Sequence, residues 1–245
     1  MDIKEEEEIK REFQLERVIL FSDAVFAIII TIMVLEIKLP EGLRHAESEK
    51  IREAFLELIP KLLGYITAFF FVGMFWAKHL KLFSYLKDYT TTLIVYNLVF
   101  LFFISLFPFA VSIMTGTLSP SNAIGLMVYF IVIGLSMLSQ TLLAGYLVRH
   151  AHKICYYPAE IEKNLQWKAQ RVNYITLPLL FAYLSVCLYY DVKPEIYGYG
   201  FIVWGIIISR IRKRFYPSVN GDIPLIARLF SSRKKKLVKV EPPVD

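Results

Sequence analysis

Cysteine is scarce here, with two in 245 residues, Cys155 and Cys187. One lies in a polar stretch and the other inside an apolar one, so no disulfide framework is expected. An ordinary free thiol suffices for Cys155, and packing for Cys187. Enzyme signatures are missing as well. No Walker loop, nucleophile elbow or metalloprotease His-Glu pair occurs, which argues against an enzyme. No apolar segment carries arginine at every third position, which excludes a voltage-sensor helix. Charge is nearly absent from the long apolar blocks and gathers between them. With 56% hydrophobic residues and a mean hydropathy of +0.49, the chain reads as a polytopic membrane protein. The net charge of +6 sits in the loops and tails, and no nucleic-acid partner is implied.

What is present is a series of six hydrophobic segments, at about residues 18–39, 59–83, 91–115, 122–148, 172–191 and 196–212. The first follows an acidic run, Glu5 to Glu8, and lacks a small-residue cleavage site, so it is expected to be a retained span. The third contains Pro108, expected to kink it. The segment "ESEKIREAFLEL", 47–58, has Ile51, Phe55 and Leu58 at helical spacing and predicts a short amphipathic surface helix. Lys and Arg fix the orientation. With the N-terminus inside, 22 of them fall in cytoplasmic segments and six on the opposite side, so both termini are expected in the cytoplasm. The chain therefore divides into an acidic cytoplasmic tail (1–17), a six-helix membrane domain (18–212) and a basic cytoplasmic tail (213–245). The run "RKKK", 233–236, is a candidate contact for anionic lipid headgroups.

Two short motifs invite chemistry and do not sustain it. "HAHKIC", 150–155, offers three possible ligands but no carboxylate, which reads as a cationic membrane-edge loop and not as a metal site. "IYGYG", 196–200, resembles a potassium filter run. Only "DVKPE" separates it from the fifth span, leaving no room for a pore helix, so a helix start with interfacial tyrosines is expected. No metal and no cofactor is expected.

The first span poses the sharper question. "ERVILFSDAVFAIIITIMVLEIKLPE", 16–41, is long enough to cross the bilayer yet carries Ser22, Asp23, Thr31 and Glu36. A carboxylate in a span costs about 2.5–3.5 kcal/mol on insertion scales, so it needs a partner. At 100° per residue, Phe21, Ala24, Thr31, Ile32 and Leu35 lie within about 60° of Ile28. Ser22 and Asp23 lie about 120° or more away. One face is thus an aliphatic stripe with a single hydroxyl, and the other is polar. The stripe has two readings: a lipid-facing or packing surface, or a pore wall that closes by dewetting. Asp23 faces the helix's own bundle, where His79 of the second span and Asn97 of the third lie at a similar depth. A network of Arg17, Ser22, Asp23, His79 and Asn97 would fix the rotation of this helix, since a single buried polar group would cost roughly 1–3 kcal/mol.

These residues carry a resemblance. "RVILFSDAVFAIIITIMVLEIKLP" is similar to the Arg-x-x-x-Phe-Ser-Asp signature of the transmembrane protein 175 family, the endo-lysosomal potassium channels and their prokaryotic relatives. "FWAKH" and "NLVFLFFISLFPF" support it. The likeness covers residues 17–110 in motif and the rest in layout only. It implies a potassium-permeable cation channel without a carbonyl filter, in which the first helix of each six-span unit lines a central pore. The gate isoleucine falls on Ile28, further pore positions on Ile32 and Leu35, and a selectivity position on Thr31. Arg17, Phe21, Ser22 and Asp23 are the motif residues, and the motif's polar members bond across to the second and third spans. A chain with one unit implies a homotetramer. Where animal members carry Ser directly before the gate, this chain has Ala27, a departure that bears on potassium-over-sodium preference. The permeant ion is substrate, not cofactor. The alternative is a proton- or cation-coupled transporter with Asp23 and His79 as a relay, although both sit away from the midplane. A prokaryotic plasma membrane is the expected location.

Overall fold

The structure is a computed structural model that describes residues 3–37, 47–117, 124–190 and 192–216. The basic run 233–236 and the greater part of the C-terminal tail lie outside the described residues. The described residues fold into helices with no strand beyond one isolated bridge. The long helices are α1 (Ile3–Ile32), α2 (Ser48–Phe83), α3 (Thr91–Ser105), α4 (Phe107–Thr117) and α5 (Ile124–Arg149). Three single-turn helices follow, α6 (Ala151–Ile154), α7 (Ile161–Asn164) and α8 (Trp167–Gln170), and then α9 (Asn173–Tyr189) and α10 (Pro194–Phe215).

Among the described residues, five helical stretches are long and apolar enough to cross a membrane: Glu5–Leu35, Ser48–Phe83, Thr91–Thr117, Ile124–Arg149 and Trp167–Tyr189. The sixth expected span forms as α10 but is not among them. Glu195 at one end and Arg210, Arg212, Lys213 and Arg214 at the other leave it a short apolar stretch.

Three expectations about boundaries change. The acidic segment before the first span is helical and continuous with it, because α1 already runs from Ile3. The segment 47–58 is no separate surface helix, because α2 continues unbroken through Pro60 to Phe83. At 36 residues it extends about 54 Å, well beyond the hydrocarbon thickness. Third, α1 ends at Ile32 and tightens into a 3-10 turn over Met33–Glu36, so Leu35 lies just past the α-helix. Pro108 behaves as its chemistry requires. The third span breaks at Leu106, between α3 and α4, and Pro108 occupies the first turn of α4, where its missing N–H costs nothing.

The main core joins α1 to α5 through Phe26, Phe75, Phe100, Phe107 and Ile104. Aromatic edges meet there, Phe75 with Phe100 at 6.1 Å and with Phe107 at 6.0 Å between centroids. Lipid tails are as apolar as these side chains, so the helices associate through close packing and polar contacts across helices. Both are visible on α5. A Cβ added at Gly134 would stand 2.7 Å from the Phe181 ring of α9. Gln140 Nε2 donates to the Phe75 carbonyl of α2 at 3.2 Å. A smaller cluster of Leu184, Cys187 and Tyr197 ties α9 to α10.

The "HAHKIC" segment folds against the α2–α3 connection. Lys87 N–H donates to the Ile154 carbonyl at 2.9 Å, and Tyr156 N–H to the Tyr85 carbonyl at 3.0 Å. Cys155 is a free thiol, as expected, but it is buried and not exposed in a polar loop. Burial pushes its thiol up to about 11, against a smaller opposing effect of Lys87, so it stays protonated and unreactive near neutral pH. Cys187 is buried in the α9–α10 cluster. His150 stacks on Tyr146 at 4.3 Å, held by its own helix end. No group of three metal-ligating side chains converges among the described residues. Residues 196–200 lie inside α10 with Tyr197 buried, so their carbonyls belong to a helix.

Candidate functional site

The arrangement of interest is built on α1. Its polar back carries a directed chain of hydrogen bonds through three helices. His79 Nε2–H of α2 donates to Asn97 Oδ1 of α3 at 2.8 Å. Asn97 Nδ2 donates to Ser22 Oγ of α1 at 2.9 Å, and Ser22 donates onward to the Val18 carbonyl at 2.8 Å. Each acceptor is engaged by the preceding donor, and the chain ends on backbone. His79, Asn97 and Ser22 are all buried. The imidazole is held flat between rings, stacked on Phe83 at 4.2 Å and facing Phe100 at 5.7 Å. A satisfied polar chain inside apolar packing holds the mutual rotation of α1, α2 and α3, because turning any one helix orphans two groups.

Asp23 is held by a residue the sequence reading missed. Trp76 Nε1–H donates to Asp23 Oδ1 at 2.9 Å. The signal was in the quoted "FWAKH": Trp76 lies three residues before His79, on the same face of α2. Its indole N–H is a donor that a buried or half-buried tryptophan normally satisfies.

Three motif residues are not in the chain: Asp23, which pairs with Trp76 instead, Arg17 and Phe21. Arg17, expected to join it, is exposed and meets Gln14 Oε1 of its own helix at 3.5 Å. The reason is helical geometry. Eleven residues make about three turns, so Arg17 lies in line with Ile28 on the face opposite Ser22. Phe21 also lies on that face and is exposed.

The opposite face of α1 is the aliphatic stripe, and none of the described residues covers it. Ile28 is 55% exposed while its neighbour Ile29 is 5% exposed and packed in the core. Phe21, Ala24, Ala27, Thr31, Ile32 and Leu35 continue the exposed face. Thr31 Oγ donates back to the Ala27 and Ile28 carbonyls at 3.0 and 2.9 Å. Its proton is thereby committed to backbone on the exposed face of the helix. On this face the large residues alternate with Ala24, Ala27 and Thr31, small side chains that let membrane helices approach closely.

Comparison with known proteins places this architecture. A potassium channel from Chryseobacterium sp. (strain P1-3) is 30% identical over 196 residues, which cover 79% of this chain and 93% of the relative. The model of the family described as endosomal/lysosomal potassium channel TMEM175 matches residues 17–108. This chain belongs to the TMEM175 family. The matched segment begins at Arg17 and holds the whole hydrogen-bonded chain and the stripe of α1. TMEM175 proteins are ion channels, not enzymes, and none of their chemistry calls for a cofactor. With the apolar helices above, membership makes this a multi-pass membrane protein. The crystal structure of a lysosomal potassium-selective channel TMEM175 homolog from Chamaesiphon minutus shares the fold. It superposes with a TM-score of 0.61 at 23% identity, covering 80% of this chain and 96% of that one. The TMEM175 endosomal/lysosomal proton channel of Danio rerio is 27% identical over 135 residues, 55% of this chain but 25% of that protein.

Proposed function

We propose that this protein is a potassium-permeable cation channel of the plasma membrane, formed by four copies around an axis lined by α1. The chain crosses the membrane six times, with α10 as the sixth span and both termini in the cytoplasm. Ile28, Ile32 and Leu35 form the hydrophobic constriction, and Thr31 tunes ion preference. The observation that carries this reading is the two-sided build of α1: a buried polar chain fixes its rotation, and the face turned outward is a stripe with small residues and one hydroxyl. Rings of isoleucine from symmetry-related copies close a pore by dewetting, and closed fourfold symmetry suits a central path. The names of the bacterial relatives, potassium channels from Chryseobacterium and Streptomyces collinus, support potassium as the permeant ion.

Liposome flux tests the reading. Reconstituted protein should carry potassium electrogenically, with no requirement for a coupled proton gradient. A flux that stops unless protons move in exchange contradicts a channel. Thr31→Val keeps the side-chain shape and removes the hydroxyl oxygen, so the potassium-to-sodium permeability ratio should fall severalfold while conduction persists. Bi-ionic reversal potentials measure it. An unchanged ratio assigns preference to pore diameter instead.

A further inference from the structure

Away from α1, the helix ends at one face of the bundle form a basic crevice that the channel reading does not use. Arg149 closes α5, Arg171 lies between α8 and α9, two residues before Asn173, and Thr92 is in the first turn of α3, so three spans end together. Two clefts of about 400 and 460 Å³ meet there and share Arg149 and Tyr174. Arg171 and Trp167 line one, and His150, Tyr96 and Tyr146 the other. No Asp or Glu lines either cleft, and neither guanidinium has an ion-pair partner among the described residues.

Both arginines are exposed and stand at the edge of an aromatic frame. The Tyr96 and Tyr146 rings lie 5.4 Å apart, and Trp167 meets Tyr174 edge-on at 6.1 Å. Tyrosine and tryptophan gathered at helix ends mark the headgroup level of a bilayer. Just inside it, Ile175 on α9 and Leu142 on α5 are exposed apolar walls, each lining one cleft. Two uncompensated guanidiniums above an apolar wall match one ligand chemistry: a phosphodiester whose acyl chains run down into the membrane.

We propose that the Arg149–Arg171 crevice binds the headgroup of an anionic phospholipid of the cytoplasmic leaflet. Guanidinium pairs phosphate oxygens bidentately, and basic pockets between spans on the cytoplasmic side are a recurrent way to hold such headgroups. The apolar walls favour lipid over free phosphate. The site rests on the orientation proposed above but not on conduction, and its test needs no flux.

Native mass spectrometry of the detergent-purified protein, with added phosphatidylglycerol or phosphatidylcholine, provides the readout. Wild type should retain phosphatidylglycerol in preference. Arg149→Gln with Arg171→Gln should weaken retention about thirtyfold, and either change alone about fivefold. Arg149→Lys with Arg171→Lys, which keeps the charge, should lose less than the glutamine pair. Lys81→Gln with Lys163→Gln removes two exposed charges that line neither cleft and should leave retention unchanged. Equal loss in that control pair overturns the site in favour of diffuse surface charge. Equal retention of phosphatidylcholine, no retention by wild type, or displacement by inorganic phosphate at matched concentration overturns the lipid assignment.

Discussion

Ile28→Asn should raise resting potassium flux through reconstituted protein by tenfold or more, while Ile29→Asn should not. A dewetted ring blocks ions because water does not fill it, and a polar side chain at that ring restores the water. About 1.4 kcal/mol off the barrier gives a tenfold rise, a small demand on a ring of added amides. The adjacent position is the control that separates gating from general loss of hydrophobicity. Ile29 is packed in the core, so an amide there is buried without a partner and costs about 1–3 kcal/mol. Ile29→Asn should therefore lower protein yield and leave the flux per assembled channel near that of wild type. Equal flux changes at the two positions, or none at position 28, would return the stripe of α1 to a lipid-facing surface.

Asn97→Ala should be the most damaging single change in the hydrogen-bonded chain. It strands the His79 Nε2–H, leaves Ser22 without its donor, and empties part of a packed interface between α1, α2 and α3. Each orphaned group costs about 1–3 kcal/mol, giving a total of roughly 2–6 kcal/mol. Thermal unfolding in detergent should fall by about 5–15 °C. Asp23→Ala orphans only the indole N–H of Trp76, which is partly exposed, so its loss should be smaller. It should appear in assembly before it appears in ion preference. The contrary pattern, a fully stable Asp23→Ala protein with altered selectivity, would favour the relay reading of Asp23 and His79.

Much of α1 was legible in the sequence because its 3.6-residue period separates Ser22 and Asp23 from Ile28. The same rule placed Ile29 about 100° around the helix from Ile28, off the stripe. His79 and Asn97 were legible as partners because few polar groups occur at matching depth in apolar helices. Arg17 was misplaced because its charge suggested Asp23 as a partner, although the helical wheel already put it in line with Ile28. Trp76 was missed because tryptophan near a span end reads as an interfacial anchor, and its donor role depends on how α2 leans on α1. Cys155 was read from its polar neighbours, whereas the pairing of residues 85–88 with 154–156 buries it, a long-range contact without local pattern. The continuity of α2 through Pro60 was hidden for a similar reason, since the charges of 47–58 suggested a separate surface helix. The Arg149–Arg171 crevice joins residues 22 positions apart that come together only when α5 and α9 pack.

The central claim is that the Ile28 stripes of neighbouring copies face one another across an axis. Oxidative cross-linking of Ile28→Cys in membranes tests it most directly. The native thiols offer little background, since Cys155 and Cys187 are both buried. A disulfide requires Cα atoms within about 4.4–6.8 Å, a separation that only a tight constriction between copies provides. Copper-catalysed oxidation should therefore join Ile28→Cys copies into covalent dimers and reduce potassium flux. Leu179→Cys, exposed on α9, should remain uncross-linked. If Leu179→Cys cross-links and Ile28→Cys does not, α1 faces lipid and the pore lies elsewhere.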